Sequence, residues 1–162
     1  MRILAMAGGI AGTVTLSQFP EFSQQYIQRL SGAADELRTV TIAFDTTARI
    51  AGMSREEALD AMAGSDFQNQ LRDDMRSRIY RYERLNADYQ ALAGALPLER
   101  LARFWHFRDV ELAQRTWDDF KPAVPVSTEG LIFAGIGFGA GWLLVTALLA
   151  LLARPFRRRR VA

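Results

Sequence analysis

Apolar residues alternate with polar ones at helical spacing through most of this chain, and at two places the polar residues drop out. Residues 130–153 read GLIFAGIGFGAGWLLVTALLALLA without a charge. As an α-helix that run measures roughly 36 Å, enough to cross a bilayer core with some tilt. Arg154 and Arg157–Arg160 follow it directly, a stop-transfer block that marks a cytoplasmic flank. Met1–Phe19 is shorter, weakly apolar and rich in Gly and Ala. It fits either a signal peptide or a short first membrane helix from about Ile3 to Gln18. Leu16-Ser17-Gln18-Phe19-Pro20-Glu21 offers no small-x-small cleavage site, which favours the uncleaved helix.

Between these runs the pattern is amphipathic. Phe22, Tyr26, Ile27, Leu30, Leu37 and Phe44 predict one helix from Pro20 to about Ile50, ended by Gly52. Ser54 with Glu57 three residues on is a capping box that opens a short helix stopped by Gly64. Phe67, Leu71, Met75, Ile79, Tyr82, Leu85, Tyr89, Leu92 and Leu96 step by three or four, which predicts a long helix packed antiparallel on the 20–50 helix. Short helices are expected around 98–105 and 109–120. Lys121–Val126, with two prolines, is expected to be an extended linker, and Ser127 or Thr128 to cap the last helix.

The predicted fold is therefore all-α, with two transmembrane helices flanking an extracytoplasmic helical hairpin or bundle. Its divisions are a first membrane helix (1–19), a helical domain (20–120), a linker (121–129), a second membrane helix (130–153) and a basic cytoplasmic tail (154–162). Both flanking ends carry arginine, so the positive-inside rule puts both termini in the cytoplasm. The middle domain then lies outside, which in a Gram-negative inner membrane means the periplasm.

Charge sharpens this division. The net charge of +2 conceals a segment from Pro20 to Ser127 with 14 basic and 17 acidic residues, while six arginines and one acid sit in the ends. The basic pI reflects membrane flanks, and no nucleic-acid partner is expected. With no cysteine and His106 as the single histidine, thiol chemistry and multi-histidine metal sites are excluded. No cofactor, metal or catalytic residue is assigned.

His106 stands among Phe104, Trp105 and Phe107 with no carboxylate-Ser or second-His pattern beside it, so it is read as structural or interfacial rather than as a general base or pH-sensitive contact. Trp105, Phe107, Trp117 and Phe120 are expected to form an interfacial aromatic belt. Adjacent acids such as Glu56-Glu57, Asp73-Asp74 and Asp118-Asp119 point about 100° apart on a helix and are read as caps or solvated faces. Arg72, Arg76, Arg78, Arg81 and Arg84 interleave with Asp73, Asp74 and Glu83, which predicts ion pairs along one exposed face.

The membrane helices carry the more specific pattern. On a helical wheel Gly130, Ala134, Gly137 and Gly141 share one face, and Gly135, Gly139, Thr146, Ala150 and Ala153 the nearly opposite one. Gly9 and Gly12, with Ala5, give the first helix a matching small face. Small residues let helix backbones approach closely in lipid. One internal helix covers one stripe only, so the second, with Trp142 near mid-helix, is expected to meet another membrane protein or a second copy. Arg154, Arg157, Arg158, Arg159 and Arg160 are expected to meet lipid headgroups.

Leu16–Phe22, Trp117–Pro125 and the Gly-rich helix from Gly130 resemble an uncharacterised bacterial family of short helical membrane proteins, known only as a domain of unknown function. That resemblance implies the two-helix membrane architecture and brings no activity or site residue. The expected function is that of a non-enzymatic accessory or scaffold subunit of a larger membrane assembly. The alternative is a homo-oligomer that binds lipid or shapes the membrane.

Overall fold

The computed structural model describes residues 2–122 and 127–157, the last five by backbone alone. Helices follow one another as α1 (Arg2–Ser17), α2 (Phe19–Ile50), α3 (Arg55–Ala61), α4 (Asp66–Leu92), α5 (Pro97–Ala102), a single 3₁₀ turn (Phe104–His106), α6 (Val110–Asp119) and α7 (Thr128–Arg157). Among the described residues there is no strand.

Local chemistry sets most of these boundaries. Only the turn at Gln18 separates α1 from α2, and Pro20 sits in the first turn of α2, where its missing N–H costs nothing. At the far end Gly52 adopts φ +74° while the Met53 N–H reaches back to the Ala48 carbonyl at 2.9 Å. That 6→1 closure needs a left-handed residue, which glycine supplies without strain. Ser54 and Glu57 form the capping box of α3. A second box, Ser65 with Gln68, opens α4. Its S-x-x-Q signature is visible in the sequence but was not among the expected start signals. Ser127 caps α7 by accepting the Gly130 N–H at 3.1 Å. The helical backbone of α7 continues past Ala153 to Arg157, so 154–157 extend the helix rather than begin a separate tail.

The chain divides into two compact units, one of residues 25–118 and one of residues 1–24 with 119–162. In the 25–118 unit, Tyr26, Ile27, Leu30 and Ala34 of α2 bury against Leu85 and Leu92 of α4 and Leu112 of α6. The α4 stripe is only partly used: Ile79, Leu85 and Leu92 are buried, whereas Phe67, Leu71 and Leu96 are exposed.

In the other unit α1 packs on α7. Phe19 stacks on the fully buried Phe133 with ring centroids 5.4 Å apart, and Phe22 meets Phe120 edge-on at 6.0 Å. Away from that contact, Ile3, Leu4, Met6, Ile10 and Val14 of α1 and Leu131, Leu143, Leu144, Leu148, Leu151 and Leu152 of α7 are all exposed. Two helical stretches, beginning at Arg2 and at Thr128, are long and apolar enough to cross a membrane.

Candidate helix-packing and buried polar sites

At its glycines the α1–α7 contact brings backbone against backbone. Gly8 and Gly12 are one helical turn apart, as are Gly137 and Gly141. A Cβ added at Gly12 would fall on the Gly137 carbonyl oxygen, and one added at Gly137 would fall on the Gly12 carbonyl oxygen. Gly141 stands in the same relation to the Gly8 carbonyl oxygen, and a Cβ on Gly8 would come within 2.9 Å of the Gly141 oxygen. The helices are thus antiparallel, with Gly8 opposite Gly141 and Gly12 opposite Gly137. Such proximity lets α-carbon hydrogens meet carbonyl oxygens across the interface.

Of the residues expected to pack, Gly12, Gly137 and Gly141 meet α1–α7 backbone, Gly9 lies under the Phe138 ring, and Gly130 is buried. Gly8 was missed, although its spacing of four from Gly12 is the small-xxx-small signal. Gly135 and Gly139 have nothing within 4 Å of a Cβ added to them, and Trp142 is 41% exposed.

Polar side chains on these helices turn inward on their own backbone. Thr13 donates to the Gly9 carbonyl at 3.0 Å, Thr15 to Ala11 at 2.9 Å, Ser17 to Val14 at 3.1 Å and Thr146 to Trp142 at 2.7 Å. Each hydroxyl is satisfied without water, as an apolar environment demands.

The arginine tail is only partly visible. Arg154 and Arg157 lie in the helical backbone of α7, their side chains not described; Arg158, Arg159 and Arg160 lie outside the described residues.

The second site is a buried polar cluster in the 25–118 unit. Asp88, on the core face of α4, is fully buried. One carboxylate oxygen meets His106 Nδ1 at 2.7 Å and the other accepts from Arg108 Nε at 2.8 Å. His106 therefore has a carboxylate partner, eighteen residues upstream. Adjacent to it, Asp109 is 5% exposed, accepts from Arg84 at 3.1 Å, and caps α6 by accepting the Leu112 N–H at 3.1 Å. Tyr26 is buried beside these carboxylates, and burial pushes its hydroxyl up to about 12, so it stays protonated at physiological pH.

Asp88 is not among the residues singled out from the sequence, yet its position was informative. It lies three residues after Leu85 and four before Leu92, so a carboxylate occupies the apolar stripe itself. Both oxygens are held, by an imidazole nitrogen and a guanidinium, which makes the cluster a brace tying α4 to the 3₁₀ turn and the segment that leads into α6.

The arginine face of α4 also differs from expectation. Arg78–Asp74 at 2.7 Å and Arg72–Asp73 at 2.9 Å run along the helix. The others cross to neighbours: Arg76 to Glu56 and Asp60 of α3, Arg81 to Glu111 of α6, and Arg84 to Asp109. Glu83 accepts from Arg55, which also grips Asp45 at 2.7 Å. The bonds from Arg55 hold the Asp45 carboxyl below its ordinary range. Long arginine side chains reach adjacent helices as readily as the next turn, so i,i+4 spacing alone did not fix the partners.

The aromatic belt is likewise divided. Trp105 and Trp117 are 57% and 69% exposed, whereas Phe107 tilts onto Tyr26 in the core with centroids 4.7 Å apart and Phe120 meets Phe22. Among the described residues, no group of three or more His, Asp or Glu could hold a metal ion.

A family model described as a protein of unknown function, DUF2937, matches residues 1–158. The chain belongs to the DUF2937 family. No curated protein and no solved structure matches the chain. DUF2937 membership thus agrees with the resemblance read from the two helix junctions and the Gly-rich helix, and it brings no reaction with it.

Proposed function

We propose that this DUF2937 protein is a two-pass inner-membrane protein that acts as a non-enzymatic accessory or scaffold subunit. In this reading α1 and α7 cross the bilayer, both termini are cytoplasmic, and residues 25–118 form an extracytoplasmic helical domain. The open Gly135–Gly139 face docks on a second membrane protein or a second copy. One observation carries the proposal: α1 consumes the Gly137–Gly141 face of α7 and leaves Gly135 and Gly139 with nothing within reach of an added Cβ. In lipid, close backbone approach at glycine replaces the hydrophobic drive that associates helices in water.

Gly139→Leu tests this directly, because a Cβ added there meets nothing within 4 Å. The variant should insert normally and resist alkaline extraction, yet lose its detergent-stable association. Overpacking an interface costs about 1–3 kcal/mol, so the complex should fall to the size of the isolated chain by light scattering. An unchanged assembly size would overturn the proposal.

A further inference from the structure

Beside the glycine contact, α1 and α7 leave a groove of about 180 Å³ lined by Arg2, Ala5, Trp142, Thr146, Leu149 and Ala150. Its walls are almost wholly apolar. Ala5 and Ala150 keep the walls low, Trp142 and Leu149 supply apolar surface, and Thr146 commits its hydroxyl to the Trp142 carbonyl at 2.7 Å. The one charged lining residue is Arg2, the first residue of α1. The antiparallel register that sets Gly8 opposite Gly141 carries Arg2 toward the later turns of α7, and the sequence adds Arg154 and Arg157–Arg160 just beyond Ala150.

We infer that this groove is a binding site for one anionic phospholipid, resting on the membrane placement of α1 and α7 proposed above. An acyl chain lies along Trp142, Leu149 and Ala150, and the phosphate meets the Arg2 guanidinium. Charge complementarity selects this occupant over a side chain from a partner helix. An apolar side chain would fill the walls but leave the arginine end without an anion, whereas a phospholipid matches both ends at once. Arginine suits a phosphate because its planar fork donates two parallel hydrogen bonds. The site is separate from the Gly135–Gly139 face, since neither glycine lines it.

Trp142 provides the readout. The full chain, with Trp105 and Trp117 changed to Phe, is placed in vesicles containing acyl-brominated phosphatidylglycerol or acyl-brominated phosphatidylcholine at equal mole fraction. The expected result is stronger quenching of Trp142 by the brominated phosphatidylglycerol, with an apparent preference of about fivefold, the equivalent of roughly 1 kcal/mol for one arginine. Arg2→Gln should erase the preference while leaving general quenching, and Ala150→Leu, which fills the groove with Arg2 retained, should weaken quenching by the anionic lipid. Equal quenching by both lipids in the parent, or a preference that survives both substitutions, overturns the site alone. Absence of quenching by either lipid overturns the site together with the membrane placement.

Discussion

At the scale of single residues, Asp88 is the side chain with the most at stake. A carboxylate at this depth is tolerated only because both oxygens are held, by His106 and by Arg108. Removing it strands two cationic or polar partners, yet Arg108 is half exposed and can return to water. Asp88→Ala should therefore cost about 3 kcal/mol, the low end for breaking a buried pair. Arg108→Ala leaves one oxygen of the buried carboxylate without a donor and should cost about 1–3 kcal/mol. Pulse proteolysis of the full chain in mild detergent across a urea series measures both, and an Asp88→Ala loss below half a kcal/mol would refute the brace. The sequence displayed Asp88 in the Leu85–Leu92 stripe, but not its partners. His106 and Arg108 come to it across two turns and a helix end, and no local spacing encodes that closure.

At the scale of elements, the α1–α7 pair was legible because period and residue size act together. The wheel placed Gly137 and Gly141 on one face and Gly135 and Gly139 on the other, and α1 covers the first pair. What the wheel could not give is register, because several glycines of α1 can serve as the point of closest approach. Gly8 and Gly12 take that role, and Gly9 accommodates the Phe138 ring. The register makes a prediction separate from assembly. Gly12→Leu must displace the Gly137 backbone, whereas a Cβ added at Gly139 meets nothing within 4 Å. In a chain without native cysteine, Ala5→Cys and Leu149→Cys flank the same groove and can be joined by a short bis-maleimide. Adding Gly12→Leu should lower that cross-linking about tenfold, since overpacking costs about 1–3 kcal/mol; adding Gly139→Leu should leave it unchanged. Equal yields in the two variants would show that the glycine register does not hold the pair. Ion pairs on α4 teach the opposite lesson. Arg76, Arg81 and Arg84 reach α3, α6 and Asp109, so partner choice there is set by tertiary packing and not by the i,i+4 pattern.

At the scale of the whole molecule, the arrangement of charge and apolar surface decides orientation. The apolar outer faces of α1 and α7 would be an aggregation liability in water, since exposed Ile3, Ile10, Leu143, Leu144 and Leu152 exceed what a monomeric surface carries. In the membrane placement proposed above a bilayer removes that liability, and the positive-inside rule assigns the arginines at both ends to the cytoplasmic side. The long acidic middle segment contributes little to this choice, because charges far from a membrane helix are translocated regardless. Gly94→Cys offers a clean probe of that segment: the position is exposed, and an added Cβ meets nothing within 4 Å. In spheroplasts a membrane-impermeant maleimide should label Gly94→Cys at once. Ala162→Cys, and a cysteine fused ahead of Met1, should label only after lysis. Labelling of both Gly94→Cys and Ala162→Cys without lysis would deny that α7 crosses the bilayer. Labelling of both Gly94→Cys and the fused N-terminal cysteine, with Ala162→Cys protected, would show instead that α1, only 16 residues long, fails to return the chain to the cytoplasm. The three positions thus test each span separately, and the short α1 is the more demanding of the two, because its roughly 24 Å falls below the thickness of a bilayer core.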